Sequence, residues 1–256
     1  MTTQPLRWCV LIPCLNEEKA IASVVGSVLA LGVPVIVIDD GSDDRTPKIV
    51  EALPVTLLRH AQRQGKGEAL RMGFREALRQ GYDAVLTMDG DGQHAASDIP
   101  DIEAAAARYP DHIVIGARML DRADQPKGRR RANAVADWGI SWACARPVAD
   151  TQSGQRWYPR VAMELVDLPA QHFVFEAAIL IAATRERKIG VVSVPIAARY
   201  HQALRRSHFS PVRDVTRITT YTIGRVIHYG HVLDSYRLSR GRPLVVETVD
   251  GTPAGA

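Results

Sequence analysis

Apolar and polar positions follow two rhythms along the first half of the chain. Residues 6–12 form a short apolar run ending at Pro13, and residues 35–38 and 84–88 form two more. Runs this short and this apolar suit strands buried on both faces. Between them the apolar residues recur every three or four positions. Ile21, Val24, Val25, Val28 and Leu29 predict a helix over 17–31, with Asn16 available to cap it and Gly32 to stop it. Residues 44–52, 67–80 and 97–108 read as further helices, and 55–58 and 112–116 as further strands. Strands alternating with helices at this spacing predict an α/β domain with a mostly parallel sheet covered by helices on both faces. Ligands of such sheets sit beyond the carboxyl ends of the strands.

The rhythm loosens after Ala117. Residues 121–128 read as a polar loop, 129–144 as a helix, 150–156 as a polar segment, 173–187 as a helix and 191–196 as a strand. Over 211–233 the residues Val212, Val215, Ile218, Ile223, Val226, Ile227, Val232 and Leu233 recur at helical intervals, accompanied by Arg213, Arg217 and Arg225. Such an amphipathic segment suits a membrane interface, a helix packed on the main domain or a contact between copies of the chain. Residues from about 239 onward read as a frayed tail. The resulting division is a main domain over 1–200, an amphipathic segment over 201–238 and a tail over 239–256.

Residues 20–38 carry no charge, close to the length that crosses a membrane. Gly32, Val33 and Pro34 place a turn in the middle, so the stretch divides into two soluble elements. The start of the chain lacks the marks of a signal peptide. Lys plus Arg number 32 against 28 Asp plus Glu, a net +4 that suits a phosphate-bearing ligand or an anionic lipid surface without requiring either. Cys9, Cys14 and Cys144 form no CxxC pair and fit buried thiols in a reducing, cytoplasmic compartment.

The polar clusters that interrupt the pattern carry the candidate chemistry. Asp89 and Asp91 bracket Gly90 directly after a predicted strand. Two carboxylates this close repel unless a cation sits between them, and their hard oxygens suit Mg2+ or Mn2+ bridging to substrate phosphates. Gln93 and His94 add neutral ligands or donors. Asp39, Asp40, Gly41 and Ser42 form a second acidic strand end, able to hold a nucleobase or a ribose hydroxyl, or to cap the next helix. Gly65-Lys66-Gly67 opens a helix but lacks the Walker spacing. Lys127, Arg129, Arg130 and Arg131 could gather a diphosphate or form a solvated surface. Asp150, Ser153 and Arg156 lie in a segment too polar to read as core. His60, His172 and His201 show no ligand spacing and read as structural.

The segments IPCLNEE (12–18), VIDDGSDD (37–44), GKGEALRMGF (65–74), MDGDGQH (88–94), IGAR (115–118) and DTQSGQR (150–156) occur in this order. Together they resemble family 2 glycosyltransferases of the GT-A fold, especially the branch that acts on dolichyl or polyprenyl phosphate. The likeness covers roughly residues 6 to 200. It implies that Pro13, Glu17, Ile38 and Asp40 hold the nucleoside of a nucleotide-sugar donor. It further implies that Asp89, Gly90, Asp91 and Gln93 form the metal and diphosphate site, with Asp89, Asp91 and Gln93 as metal ligands. Arg118 and Arg131 match positions that contact phosphate, and Asp150 matches one near the acceptor, where it is the candidate base for a hydroxyl acceptor. Asp91 and Arg118 would stabilise the leaving diphosphate.

The resemblance has gaps. Leu15 stands where the family carries an aromatic, Gln155 replaces a phenylalanine, and Arg205-Arg206-Ser207-His208-Phe209 replaces a later signature. The expected partners are therefore a nucleotide-sugar, a lipid or lipid-phosphate acceptor, an anionic membrane surface and a second copy of the chain, with no nucleic acid. Two other readings compete. One is a nucleotide-sugar binding module without turnover. The other is a metal-dependent phosphatase of the haloacid dehalogenase type, which places its D-x-D motif after a first strand, whereas here three strands precede the one that the motif follows.

Overall fold

A computed structural model describes residues 6–120, 127–170, 173–197 and 211–247, and for residues 127–129, 131, 132 and 211–214 the backbone alone. Its elements follow the predicted alternation: β1 (Trp8–Cys14), α1 (Ile21–Leu29), β2 (Val35–Asp39), α2 (Thr46–Glu51), β3 (Thr56–Arg59), α3 (Lys66–Arg79), β4 (Ala84–Thr87), α4 (Ile99–Arg108) and β5 (His112–Arg118). There follow α5 (Lys127–Cys144), β6 (Arg156–Pro159), α6 (Arg160–Met163), α7 (Val174–Arg185), β7 (Gly190–Ile196), α8 (Pro211–Tyr229) and α9 (Val232–Gly241). The seven strands form one sheet in the order β3-β2-β1-β4-β6-β5-β7. All neighbours are parallel except at β6, which runs antiparallel to both β4 and β5.

The central strands are buried on both faces, as their unbroken apolar runs require. Along β1, Cys9 and Leu11 point into one core layer and Val10 and Ile12 into the other. Along β2, Ile36 and Ile38 join the first layer and Val35 and Val37 the second. The first layer is closed by Leu70 and Phe74 of α3 and by α7, the second by Val24, Val25 and Val28 of α1 and Ile102 of α4. Gly73 lets α3 lie directly on the sheet, since a Cβ there would come within 2.8 Å of Ile38 Cδ1 and collide with Leu11. The chain goes from β1 outward to β2 and β3, then returns to the far side of β1 as β4. Order therefore reverses between β1 and β4, and a crevice opens there at the carboxyl ends.

Three sequence expectations are corrected. Asn16 does not cap α1; it adopts a φ of 57° and its side-chain oxygen accepts from Asp43 N–H at 2.9 Å, which ties the two loops flanking the crevice together. The amphipathic stretch is two helices rather than one, broken at Gly230 and His231, both at positive φ. The chain past residue 239 is not a frayed tail as far as Glu247. α9 extends to Gly241, and Ser193 of β7 exchanges backbone hydrogen bonds of 2.9 Å with Val245 and Glu247. Glu247 is then buried, and Arg108 closes an ion pair with it at 2.5 Å. α8 and α9 pack on α5, leaving an apolar groove among the three. His172, His201 and the segments 121–126, 205–209 and 248–256 lie outside the described residues.

Candidate active site

The crevice is lined by residues from four loops at the carboxyl edge. Pro13 lies at the end of β1, Leu15 and Glu17 follow it, Asp40 follows β2, Gly65 and Lys66 open α3, and Asp89, Gly90 and Asp91 follow β4. The two acidic strand ends therefore share one cleft. Arg63 and Phe173 complete its wall, and Phe173 is the one aromatic ring lining it among the described residues.

Asp40 is built into the loop that follows β3. Its Oδ1 accepts from Gln64 N–H at 2.9 Å and sits 2.8 Å from His60 Nδ1, while Oδ2 accepts from Gly65 N–H at 2.8 Å. His60 is therefore part of the site's scaffold, orienting the carboxylate that faces the cleft. The loop approaches so closely that a Cβ on Gly41 would stand 2.8 Å from Arg63 N, and Gly41 also takes a φ of 81°, which favours glycine. Glu17 is held from below: its N–H donates to Thr46 Oγ1 at 2.8 Å.

Asp89 is engaged on both oxygens. Lys66 Nζ stands 2.7 Å from Oδ1 and also 3.2 Å from Glu176 Oε1 at the start of α7. His94 Nε2 lies 3.6 Å from Oδ2, and the buried Nδ1 of the same ring finds no hydrogen-bond partner among the described residues. Gly154 presses on this carboxylate so tightly that a Cβ there would collide with it, 2.6 Å from Cγ and 2.7 Å from Oδ1. Burial opposes the charge of Asp89, but the Lys66 ammonium and His94 outweigh it and hold the carboxyl well below its usual range. The same pair reads oppositely at Lys66: burial disfavours the ammonium, and Asp89 and Glu176 more than restore it. Asp91 is pushed up, by burial first and then by the negative charge of Asp89. Its oxygens accept from the backbone N–H of Gln93 at 3.0 Å and from its amide at 2.8 Å.

A divalent cation fits this donor set. Two carboxylates and an amide oxygen offer hard ligands, and the negative charge of Asp89, which adds to burial in pushing Asp91 up, is a repulsion that a cation would relieve. Among the described residues no three His, Cys, Asp or Glu side chains converge as a ready-made cage, so a cation here would need substrate oxygens to complete its shell.

Arg118 and Asp150 form a separate buried unit beside the cleft. Arg118 donates from Nε and a terminal nitrogen to the two oxygens of Asp150, each at 2.7 Å, and its backbone N–H adds a third bond at 2.8 Å. Burial raises the Asp150 carboxyl, and these bonds overcome that and hold it below the ordinary value. Asp150 takes a φ of 47°, supported by Asp137 of α5, which accepts from the N–H groups of Asp150 and Thr151 at 3.1 and 2.7 Å. The segment 150–156 reads as a polar loop in the sequence, yet Ser153, Gln155 and Arg156 are buried. Arg156 satisfies the turn by donating to the carbonyls of Ser153 and Thr151 at 2.8 and 2.6 Å.

Of the residues predicted for the site, Pro13, Glu17, Asp40, Asp89, Gly90 and Asp91 line the cleft. Ile38 does not. It is fully buried beneath, packed against Leu11 and α3, because the last inward-facing position of β2 belongs to the core. Arg131 has its backbone in α5 and its side chain lies outside the described residues; Arg130 beside it is exposed. Lys66, Arg63, Phe173, Glu176 and Asp137 carry contacts that the sequence reading did not assign.

A model of glycosyl transferase family 2 matches residues 9–170. The chain belongs to that family. This family 2 chain is a glycosyltransferase that uses a nucleotide-sugar, and its sheet and helices are those of the GT-A fold. The UDP-N-acetylglucosamine–dolichyl-phosphate N-acetylglucosaminyltransferase of Methanococcus voltae is 29% identical over 214 residues, 74% of this chain and 84% of that protein. The polyprenol monophosphomannose synthase of Mycolicibacterium smegmatis is 28% identical over 175 residues, 64% and 66% of the two chains. Glucosyl-3-phosphoglycerate synthase from Mycobacterium tuberculosis, solved with Mn2+, UDP and phosphoglyceric acid, superposes with a TM-score of 0.65 at 23% identity, over 88% of this chain and 78% of that one. Family membership also sets aside the dehalogenase-type phosphatase, whose motif follows a first strand rather than a fourth.

Proposed function

We propose that the chain moves a sugar from a nucleotide-diphosphate sugar to the phosphate of a polyprenyl-type lipid, working at the cytoplasmic face of a membrane. The observation that carries the reading is the shared cleft: Asp40 at one end and Asp89 and Asp91 at the other, with Pro13 and Glu17 between them. Such a cleft suits a ligand with a nucleoside at one end and a diphosphate at the other. The relatives named for dolichyl and polyprenol phosphate support the choice of acceptor.

The state of Asp150 favours a phosphate over a hydroxyl. A hydroxyl acceptor needs a base to take its proton, and Asp150, the sequence candidate, is committed to Arg118 through three hydrogen bonds. A phosphate monoester is already largely ionised near pH 7 and needs no base. In the inverting displacement proposed here, an acceptor phosphate oxygen forms a bond to the anomeric carbon as the bond from that carbon to the donor diphosphate breaks. The electron pair leaves with the nucleoside diphosphate, and no proton changes hands. Asp91, with Asp89 and Gln93, would hold a divalent cation, which supplies charge neutralisation to the leaving diphosphate. Asp40 and Glu17 orient the nucleoside, and Asp150 positions Arg118 toward the acceptor side.

Among the described residues no helix is long and apolar enough to cross a membrane. The groove among α5, α8 and α9 instead presents Trp138, Val215, Ile223 and Ile227 partly to solvent, and Gln152 of the active-site segment lines the same groove. This face is the proposed seat on the membrane interface. A thermal-shift panel of nucleoside diphosphates with and without Mn2+ tests the donor, followed by mass-spectrometric detection of a glycosylated polyprenyl phosphate. One base-specific, Mn2+-dependent shift and a lipid product are expected. Shifts indifferent to base and metal would remove the reading.

A further inference from the structure

The charge balance of the cleft gives its two protein cations, Arg63 and Lys66, a part to play. Glu17, Asp40, Asp89 and Asp91 line it against Arg63 and Lys66, so the wall is net negative where a diphosphate is to sit. A divalent ion held at Asp91 would offset part of that repulsion. Lys66 is placed to offset more. Its ammonium lies between Asp89 and Glu176, and it reaches the cleft surface. An ammonium has three N–H donors; Asp89 and Glu176 account for two.

The backbone fixes where this charge stands. Lys66 is the first residue of α3, directly after Gly65, whose φ of 101° favours glycine and whose N–H is bound by Asp40. The aspartate at the nucleoside end thus sets the base of the lysine, and Asp89 and Glu176 set its tip. Asp89 is enclosed on its other oxygen by Gly154 and His94, which fixes the carboxylate that meets Lys66. We propose that Lys66 is a ligand of the donor's diphosphate, and that Asp89 and Glu176 are positioning residues that aim it. The inference rests on the nucleotide-sugar reading above and adds a second cation, one supplied by the protein, to that site.

Isothermal titration of UDP, GDP, uridine and guanosine into the full chain and into Lys66→Met, in Mn2+ and in EDTA, tests it. The diphosphate that binds should lose affinity by about ten- to a hundredfold in Lys66→Met under both conditions, the range for one charge-assisted hydrogen bond. Its nucleoside should bind as before. Glu176→Gln, which leaves the ammonium in place, should weaken the diphosphate in the same direction and spare the nucleoside. Unchanged diphosphate affinity in Lys66→Met overturns the proposal, as does an equal loss for nucleoside and diphosphate, which would make Lys66 a support of the fold. If Lys66→Met does not fold, Glu176→Gln decides by the same comparison. Failure of the parent chain to bind either diphosphate would instead sink the nucleotide-sugar reading, and this inference with it.

Discussion

Replacing Gly154 by Ala adds one methyl group at the point where the segment before β6 meets Asp89. Gly154 has an ordinary backbone conformation, so the substitution introduces no dihedral strain and its whole effect is steric. The new carbon would lie 2.6 Å from Asp89 Cγ and nearer still to Oδ2, and ordinary contact begins at 3.4 Å, so the carboxylate must retreat by at least about 0.8 Å. That retreat moves Asp89 off Lys66, now 2.7 Å away, or drags the lysine with it. A displacement of about 1 Å at a positioned group costs on the order of a hundredfold in rate, whereas overpacking costs roughly 1–3 kcal/mol of stability. Gly154→Ala should therefore keep its fold, with a melting temperature lowered by about 2–12 °C, and lose sugar transfer about a hundredfold. The assay is nucleoside diphosphate release with the donor and lipid phosphate found by the panel above, run beside differential scanning fluorimetry. Parent-like turnover in the folded variant would show that the Asp89 position does not matter to the reaction.

Three further outcomes are expected. Asp150→Asn removes the carboxylate charge that pairs with the buried Arg118 guanidinium and should cost roughly 3–5 kcal/mol at pH 7. Because Arg118 lowers the folded carboxyl below the reference 3.8, that stability is present above pH 3.8 and lost as pH falls through the lower folded value. The gap between parent and variant in urea unfolding should therefore close in strong acid; a gap independent of pH contradicts it. Asp91→Asn removes a charge that burial and Asp89 both disfavour, so the metal-free melting temperature should hold or rise while the Mn2+-dependent shift disappears. Trp138→Asp together with Ile223→Asp should abolish flotation with anionic vesicles and leave nucleoside diphosphate binding unchanged; flotation equal to the parent's would move the membrane seat elsewhere.

The layout of strands and helices up to β5 was legible because burial on both faces leaves an unmistakable apolar run, and because helices between such runs keep their period. The acidic strand ends were legible for the complementary reason: Asp39, Asp40, Asp89 and Asp91 stop apolar runs at the edge where ligands collect. β6 was not. It has four residues, too few to show a period, and begins with Arg156, whose charge reads as surface although four carbonyl and hydroxyl contacts satisfy it inside. Ile38 was assigned to the cleft by likeness to the family, but strand alternation turns it to the core. Lys66 was undervalued because Gly-Lys-Gly by itself is an ordinary turn. Its partners Asp89 and Glu176 lie 23 and 110 positions away in the chain, a distance no local pattern spans.

The one reversed strand has a consequence for what the active edge can contain. A forward-running β6 would present its outgoing turn to the crevice and leave residues 150–155 on the opposite rim, displaced by the length of the strand, about 13 Å at the usual rise. Running backward, β6 delivers its incoming turn instead, so Asp150 and Gly154 arrive at the rim occupied by Asp89. The sheet thereby gains a working loop from a strand that would otherwise serve as filler, and changes at the exposed Arg160, at the far rim, can alter the domain's exterior without reaching the cleft.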